Sequence, residues 1–520
     1  IEDLCYSTNI GRSVLDRKAA FIASTQADMS AALKNWSAGP ASETPATDGL
    51  AISTPSDIPI HPKIGFLFTG QGAQYQHMGR ELYGSQQVFT ETLDRCDDVL
   101  RPILGKSLRT LINDTPDLLN QTRYTQPVLF SLECAIYKLW ESWGITPHAV
   151  MGHSLGEYVA AWAAGVFDLE CGLGLIADRA RLMQSMPGHG AMAAVLASEQ
   201  MVHEVLSQIR GNLEVAALNG PEHVVISGDR LPVQEAAAIF ESKGIGFRLL
   251  DVSHAFHSSQ MDGVLPDYEA VAAGVDFRAP SIPIVSNLTG RLVHPNEMDA
   301  PYWSAHTRRT VRFEDGLRTL REAGCQLFVE IGPRPVLLGM ARSIVTEPDV
   351  AWLPSLRPGT SDWKQLLASL GELYVRGVPV DFEKVDKPYA AGRCVLPTYP
   401  FQRRRFWLDK PAHQTGSLDR KEPEVIEPSL EQSIYTLEWV PTRAGLVKTP
   451  SPPITVQDAA SECDGEETWL LFTDESCAGR DRAQTLKQRL RRCIEAYPGT
   501  AFEKVSDSAF RLDPLDPSHL

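Results

Sequence analysis

Short apolar runs separated by helix-forming segments organise most of the chain. Residues 64–68 and 149–151 have the continuous apolar character of strands that are buried on both faces. Residues 282–287 and 326–331 have the same character, and a helix-forming run follows the second strand at 157–164. Apolar strands that alternate with helices predict an α/β domain built on a buried parallel sheet.

The pattern changes between residues 190 and 252, where shorter elements follow one another at closer spacing. They predict the order βαββαβ, which is typical of a ferredoxin-like subdomain. Because buried parallel strands resume at 282–287, we expect this subdomain to be inserted in the larger one. Its six predicted elements lie at 191–196, 199–209, 213–218, 223–227, 231–242 and 246–252.

The amino-terminal segment predicts a smaller α/β piece. A helix or a strand is expected at 4–7, a strand at 19–23, and then a helix that Thr25 caps. Residues 40–60 are rich in Pro, Ser, Thr and Asp. This composition predicts a linker over the surface rather than packed structure.

Longer helices are predicted beside the sheet. Two lie at 86–100 and 126–143, and the second is expected to carry Pro127 in its first turn. Asp168 is placed to cap a helix at 169–186. Another helix is expected at 363–374. After a polar stretch, a last unit from Ile434 is predicted to have strands at 435–440 and 468–472 and a helix at 480–495.

Composition narrows the classes of protein. The 520 residues allow several domains, and the first residue is Ile1, so we expect a piece of a longer polypeptide. The net charge of -16 argues against a general nucleic-acid binder. Nine cysteines without a Cys-x-x-Cys pair favour a reducing cytoplasm. No apolar run reaches the ~18 residues of a membrane span, and no metal or nucleotide motif occurs, so no metal is predicted.

Gly152-His153-Ser154-Leu155-Gly156 lies between a predicted strand and a predicted helix. That context predicts a nucleophile elbow, which exposes the serine hydroxyl at a tight turn. The amide of Leu155 would then be a natural donor to an oxyanion.

A serine at neutral pH is a weak nucleophile and needs a base. His254 and His257 follow the inserted subdomain, where a cleft is expected, and their spacing leaves both open as the base. Arg179 lies on the helix that Asp168 caps, two positions from Arg181, so the two arginines face different directions. A guanidinium could grip a substrate carboxylate with two parallel hydrogen bonds.

Four motifs together resemble the acyltransferase domain of modular type I polyketide synthases. They occur in the order of that family, within about residues 61–355. The resemblance implies an α/β-hydrolase-like large subdomain with a parallel sheet, a ferredoxin-like insertion at about 190–252, and a small α/β linker domain. The motifs are Gly70-Gln71-Gly72-Ala73-Gln74, residues 152–157, Arg179 with Leu182-Met183-Gln184, and residues 254–258.

The resemblance also implies roles for single residues. The family orients its histidine with backbone carbonyls, so Asp251 and Asp262 are not assigned as a third triad member. The implied roles are nucleophile for Ser154, base for His257, oxyanion donors for the amides of Gln71 and Leu155, carboxylate grip for Arg179, and substrate contacts for Gln126, His153 and Phe256.

The flanks resemble neighbouring parts of such synthases. Residues 1–60 are similar to the linker between ketosynthase and acyltransferase, and 356–410 to the linker after the acyltransferase. A flexible linker at 411–433 is then expected, followed at 434–520 by the truncated start of a ketoreductase's structural half. Those two domains are the implied partners within one polypeptide, and a homodimer is expected only within the full synthase.

The resemblance implies ping-pong transfer of an acyl group from coenzyme A to the phosphopantetheine thiol of an acyl carrier protein, with no permanently bound cofactor. His254-Ala255-Phe256-His257 and Leu155 resemble the malonyl-selective pattern, whereas Tyr-Ala-Ser-His is the methylmalonyl-selective one. Phe256 is bulky where serine would leave room for a methyl. Fit to a methyl is worth only ~1–3 kcal/mol, so selection should be strong but not absolute.

Three other functions compete with this one. An α/β-hydrolase esterase or thioesterase would release its acyl group to water, but it has no need of Arg179. A free-standing malonyl-CoA:acyl carrier protein transacylase of fatty-acid synthesis would lack the flanking linkers. An inactive scaffold is disfavoured by the intact Ser154, His257 and Arg179.

Overall fold

The computed structural model describes residues 1–37, 50–53, 62–186, 188, 190–252, 254–389, 391–398, 401, 469–472, 493–498, 503–506 and 509–512. Contacts divide the chain into two units, Ile1–Phe401 and Gln402–Leu520. Within the described parts of the chain, no helix combines the length and the apolar character that crossing a membrane requires.

The first unit opens with α1 (Glu2–Ile10), β1 (Ala19–Ile22), α2 (Gln26–Ser37) and β2 (Leu50–Ser53). The ambiguous element at 4–7 is part of helix α1. The hydroxyl of Thr25 accepts the N–H of Asp28, as expected of a cap. The prediction of unpacked linker at 40–60 is wrong at β2, because the short apolar run there pairs antiparallel with β1.

A five-stranded parallel sheet forms the centre of the large subdomain, in the order β11-β10-β3-β4-β9. The predicted strand at 282–287 shortens to two residues, because the N–H of Ser286 turns away to the carbonyl of Arg291. The strands are β3 (Lys63–Phe68), β4 (Ala149–Gly152), β9 (Ile284–Val285), β10 (Cys325–Ile331) and β11 (Ala351–Pro354), numbered with β5 to β8 of the insertion in chain order.

Helices surround this sheet, and two begin or end where the sequence did not predict. α3 continues through Pro102 to a left-handed Gly105. In α6 the first turn forms before Pro127, since the amides of Tyr124 and Thr125 already bond to the carbonyl of Gln121. The helices up to the insertion are α3 (Gln87–Leu104), α4 (Leu108–Asn113), α5 (Pro116–Leu119), α6 (Thr122–Ser142), α7 (Leu155–Ala163) and α8 (Leu169–Ser185).

The inserted subdomain has the predicted βαββαβ order, and its four strands form an antiparallel sheet in the order β6-β7-β5-β8. Apolar residues of its two helices pack on one face of that sheet and form a separate core. Its elements are β5 (Gly190–Val195), α9 (Glu199–Leu206), β6 (Leu213–Gly220), β7 (His223–Asp229), α10 (Arg230–Ser242) and β8 (Phe247–Leu249).

The chain then returns to the large subdomain. A 3₁₀ helix at Ser259–Val264 leads into this last set of helices, which closes the first unit. They are α11 (Leu265–Ala272), α12 (Ala300–Arg308), α13 (Phe313–Glu322), α14 (Leu337–Ile344), α15 (Asp362–Val375) and α16 (Phe382–Asp386).

The second unit contains a four-stranded sheet in the order β12-β13-β15-β14. The predicted strand at 468–472 is confirmed by β12 (Trp469–Phe472). The helix predicted at 480–495 is wrong at its end, because the backbone from Cys493 is extended and pairs with β12. The rest of that helix and the strand at 435–440 lie outside the described residues. The other strands are β13 (Cys493–Pro498), β14 (Glu503–Ser506) and β15 (Ala509–Leu512).

Candidate active site

Ser154 lies on the tight turn between β4 and α7, with φ 49° and ψ -110°. A positive φ is uncommon for a residue other than glycine and marks strain that neighbouring structure must hold. The flanking glycines do not themselves adopt a positive φ, which belongs to the serine. A Cβ on Gly152 would lie 2.0 Å from the amide of Glu157, and one on Gly156 would lie 2.1 Å from the carbonyl of Phe68. Both positions require glycine because helix and strands approach so closely.

His257 reaches Ser154 from the other side of the site. Its Nε2 lies 2.8 Å from the serine Oγ, and its Nδ1 lies 2.9 Å from the backbone carbonyl of Arg309. A carbonyl can only accept, so Nδ1 carries the proton and Nε2 is free to accept the serine hydroxyl. The geometry is that of a nucleophile beside a correctly oriented base.

Burial lowers the pKa of His257 well below its usual 6.5, and the neighbouring His306 and Arg179 lower it further. The bond to the carbonyl of Arg309 acts in the opposite direction. The imidazole is therefore neutral at neutral pH, which is the form that can take a proton.

His254, the other histidine of the motif, points elsewhere. Its Nε2 lies 2.9 Å from the carbonyl of Met186. The intervening Phe256 is 8% exposed and packs in an apolar cluster that contains Met183 and Met192. The spacing alone allowed either histidine at the serine, and the structure brings His257 there.

Arg179 is buried, with only 2% of its surface exposed. Its Nη2 lies 3.3 Å from Ser154 Oγ, its Nη1 donates to Gln126 Oε1 at 2.8 Å, and its guanidinium lies 5.3 Å from the centre of the Tyr158 ring. Its Nε has no hydrogen-bond partner among the described residues. Arg181 instead pairs with Asp178 at the surface. The two arginines thus face different directions, as their spacing predicts.

A chain of amide side chains supports the guanidinium. Gln126 Nε2 donates to Gln71 Oε1 at 3.3 Å, and Gln71 Nε2 donates to Thr122 Oγ1 at 3.3 Å. The sequence pointed to the amide of Gln71, whereas the structure also gives its side chain a place in the site.

Three of the first four backbone amides around the start of α7, at residues 154–157, have hydrogen-bond acceptors. The amides of Gly156 and Glu157 bond to the carbonyls of His153 and Ser154, and the amide of Ser154 bonds to Asn287. Within the described parts of the chain, the amide of Leu155 has no acceptor. It is therefore available to an oxyanion that forms beside Ser154.

His153, an expected substrate contact, makes two contacts within the protein. Its Nε2 lies 2.8 Å from Asn219 Oδ1, and its ring lies 5.7 Å from that of Phe313. Burial lowers its pKa. Its ring thus connects the elbow to β6 of the inserted subdomain.

Sequence reasoning missed two residues that touch the serine or its base. Asn287 accepts the amide of Ser154, and Arg309 supplies the carbonyl that orients His257. Both lie outside the four motifs. The only signal for Asn287 was its position at the end of an apolar strand run, where a parallel sheet presents side chains to a ligand.

These features define the class as an α/β protein that can transfer acyl groups through a serine. They are the parallel sheet, the elbow serine at its carboxyl edge, the histidine bonded to that serine and the antiparallel insertion. The profile of the acyl transferase domain matches residues 65–380. The chain therefore belongs to the acyl transferase domain family.

Its relatives are polyketide synthases. It is 40% identical over 414 residues to the spectinabilin polyketide synthase system protein NorB of Streptomyces orinoci, covering 78% of this chain and 19% of that protein. It is 37% identical over 401 residues to the PKS-NRPS hybrid synthetase acdB of Aspergillus candidus, covering 75% of this chain and 16% of that protein. The chain thus spans less than a fifth of the length of these two relatives.

Solved structures agree with this assignment. The acyltransferase domain from the second module of the salinomycin polyketide synthase superposes with a TM-score of 0.69 at 39% identity, covering 76% of this chain and 91% of that one. The malonyl CoA-acyl carrier protein transacylase from Clostridium perfringens gives 0.55 at 28% identity, covering 60% and 98%. The predicted α/β fold with its inserted subdomain and the predicted acyltransferase membership are confirmed.

Proposed function

We propose that the chain transfers a malonyl unit from coenzyme A to the phosphopantetheine thiol of an acyl carrier protein, through an ester on Ser154. The observation that carries the proposal is a buried guanidinium beside a serine–histidine pair. Arg179 donates to Ser154 Oγ, and its Nε has no partner in the described part of the chain. A buried donor without an acceptor is unfavourable, so a carboxylate on the acyl group would complete the site.

In the first half-reaction the thioester exchanges coenzyme A for the serine. Ser154 Oγ attacks the carbonyl carbon while His257 Nε2 takes the hydroxyl proton. The amides of Gln71 and Leu155 stabilise the tetrahedral oxyanion. The C–S bond then breaks, and His257 returns the proton to the departing thiolate.

The second half-reaction runs the same chemistry in reverse with a new thiol. His257 removes the proton of the phosphopantetheine thiol, the sulfur attacks the ester carbon, and Ser154 leaves with that proton. Water competes for the same ester, so the acyl group must be held where water is excluded or misaligned.

Arg179 gives the selectivity for acyl groups that end in a carboxylate. Gln126 and Gln71 hold the guanidinium beside the serine, and the ring of Tyr158 lies under it. Preorganised donors of this kind lose little freedom when the substrate binds. Acetyl-CoA has no group for them, whereas malonyl-CoA has one.

Phe256 supports malonyl as the acyl group rather than a branched relative. The side chain is buried among Met183 and Met192, so it has little room to move away from an α-methyl. His153 and Gln126 are the other proposed contributors to the substrate pocket. Discrimination of a single methyl remains limited to ~1–3 kcal/mol.

The proposed setting is a polyketide synthase in the cytoplasm. The flanking segments are then the ketosynthase linker at 1–60, the linker after the acyltransferase at 356–410, a connection at 411–433, and the start of a ketoreductase half at 434–520. Ketosynthase and ketoreductase domains of the same polypeptide, an acyl carrier protein and a homodimeric synthase are the proposed partners. The relatives' multidomain character supports this setting.

The test is a time course of intact protein mass with malonyl-CoA and with acetyl-CoA, each with and without a carrier protein. We expect rapid loading from malonyl-CoA, slow loading from acetyl-CoA, and discharge of the malonyl ester only when the carrier protein is added. Equal discharge in water alone would identify a thioesterase instead. Absence of any adduct, as expected of an inactive scaffold, would reject both thioesters as acyl donors.

A further inference from the structure

Asn287 is 99% buried, as only 1% of its surface is exposed, and it contacts the elbow with both ends of its amide. Its Oδ1 accepts the backbone N–H of Ser154 at 2.7 Å, and its Nδ2 donates to the carbonyl of Gly152 at 2.8 Å. One end must accept and the other must donate, so these two partners fix the orientation of the amide group.

The main chain of Asn287 makes two further contacts in opposite directions. Its N–H donates to the carboxylate of Glu157 at 2.7 Å, and its carbonyl accepts the N–H of Arg312 at 2.8 Å. Glu157 lies on α7, and Arg312 lies three residues after Arg309, whose carbonyl orients His257. Asn287 is thus bonded both to the turn that carries the serine and to the segment that orients its base.

We propose that Asn287 is a positioning residue, which holds Ser154 in its strained conformation and sets its distance from His257. This inference rests on the proposed function of Ser154 as the nucleophile. A residue with φ 49° keeps that conformation only where its surroundings over-determine it. The Asn287 amide fixes the backbone on the amino-terminal side of Ser154, at the N–H of Ser154 itself and at the carbonyl of Gly152. It also occupies the amide of Ser154, which leaves the amide of Leu155 to face the oxyanion together with that of Gln71.

The sharpest test is Asn287→Asp, because the two side chains have the same shape. An ionised Asp can accept the N–H of Ser154, but it presents a negative oxygen to the carbonyl of Gly152. A protonated Asp can donate there and so reproduces the amide. At pH 8 we expect kcat for malonyl loading to fall by about 10²-fold, the usual effect of a misplaced reacting group, with KM little changed.

The pH dependence separates positioning from general damage. Lowering the pH protonates the new carboxyl group, so the ratio of variant to native kcat should rise toward one. We expect native activity to persist as the pH falls below 6.5, because burial, His306 and Arg179 lower the pKa of His257. A ratio that stays constant from pH 8 to pH 5.5, or a native rate at pH 8, would overturn the proposal.

Ser286→Ala is the matched control. Ser286 is the buried neighbour of Asn287, and its hydroxyl contacts Tyr302, Leu288 and Thr289 rather than the elbow. We expect a lower Tm than native but a native kcat at every pH. A loss of kcat in this control equal to that of Asn287→Asp would show that any damage to this loop slows loading, which would also overturn the proposal.

A second variant and a second probe keep the outcome decisive. If Asn287→Asp does not fold at pH 8, Asn287→Ser avoids a buried charge and should still lose about 10-fold in kcat at unchanged KM, through loss of one or two hydrogen bonds.

Phosphonylation by a fluorophosphonate needs Ser154 and His257 but no malonyl group: an O–P bond forms, fluoride leaves, and the hydroxyl proton passes to His257. Its rate should fall in parallel with loading.

The fluorophosphonate arm also distinguishes two kinds of failure. If the native protein is phosphonylated at Ser154 but takes no malonyl group, the proposed substrate is wrong, and Asn287 is judged by the phosphonylation rate alone. If Asn287→Ser is folded and is phosphonylated at the native rate, the positioning role is wrong, whatever the substrate.

Discussion

The serine side and the histidine side of the site are built in different ways. Ser154 lies in a stretch of six residues, in which Gly152 and Gly156 allow α7 to approach β4 and β3 closely. His257 is also left-handed, with φ 54°, but its ring is oriented by the carbonyl of Arg309, 52 residues further along the chain. The elbow motif on the serine side is local in sequence, with Asn287 as a distant support 133 residues away, whereas the orientation of the histidine ring depends on tertiary structure.

The segment that carries Arg309 is itself attached to the inserted subdomain. Thr310 Oγ1 donates to the carbonyl of Val215 at 2.7 Å, and the amide of Val311 donates to that of Ala216 at 2.9 Å. The amide of Leu218 donates back to the carbonyl of Val311 at 2.8 Å. The insertion therefore supports the segment that orients the base, and it also contacts the elbow through His153 and Asn219.

The largest expected effect is loss of the base. His257→Ala should lower kcat/KM for malonyl loading by roughly 10²–10⁴-fold, the usual contribution of a general base. His254→Ala is the matched control, since that histidine bonds to the carbonyl of Met186, and it should lose much less. Stopped-flow or quenched intact-mass kinetics measure both. Equal losses would mean that the serine–histidine contact does not identify the base.

The difference between the serine side and the histidine side also explains how much of the site can be predicted from the sequence. The elbow, its strand and its helix are predictable because glycine spacing and an apolar run are local signals. The choice between His254 and His257 is not, because both lie in one motif and only the fold decides which ring reaches the serine. Asn287 and Arg309 act through an amide and a backbone carbonyl, and a carbonyl leaves no trace in the residue type.

The fold shows the same limit. The βαββαβ order was predicted correctly because each element has its own periodicity. β2 was missed because its four residues lie in a stretch whose composition is that of a linker, and only pairing with β1 makes it a strand. Likewise α6 begins before Pro127 because the preceding turn closes on Gln121, which a proline-based rule for helix starts does not anticipate.

The next largest effect concerns Arg179, which belongs to the serine side of the site because it contacts Ser154. Arg179→Ala should lower the ratio of malonyl to acetyl kcat/KM by on the order of 10²-fold, because a buried carboxylate would lose its partner. Arg179→Lys should recover part of the ratio, since an ammonium cannot make two parallel bonds. Arg181→Ala, at an exposed position paired with Asp178, should leave the ratio unchanged. An unchanged ratio in Arg179→Ala would exclude Arg179 as the residue that binds the substrate carboxylate.

A smaller effect should follow from loosening the histidine side through the insertion. Thr310→Val removes the hydroxyl that bonds to Val215 and keeps the side chain's shape. Loss of about 1 kcal/mol of support should reduce kcat roughly fivefold. Thr319→Val is the matched control, because its hydroxyl bonds to the carbonyl of Gly290 and does not touch the Arg309 segment. Identical rates in the two variants would show that the insertion does not position the base.

The smallest expected effect is a displacement of the pH profile. The pKa of His257 in the folded protein lies below 6.5, its value in the unfolded chain. The contribution of the neutral imidazole to the free energy of unfolding is therefore complete above pH 6.5, and it is lost as the pH falls toward the folded pKa. The acidic limb of kcat/KM should therefore lie below pH 6.5. In Arg179→Ala this limb should move upward, since one positive neighbour is gone. An acidic limb at or above the ordinary histidine value would contradict a buried neutral base.

The central claim is that Ser154 carries the acyl group. It is tested most directly by peptide mapping of the native protein after a brief incubation with malonyl-CoA. We predict a malonyl mass on the peptide that contains Ser154, its disappearance on addition of carrier protein, and no adduct on Ser154→Ala with an unchanged Tm. A malonyl adduct that persists on Ser154→Ala, or that maps to another residue of the native protein, would contradict the account.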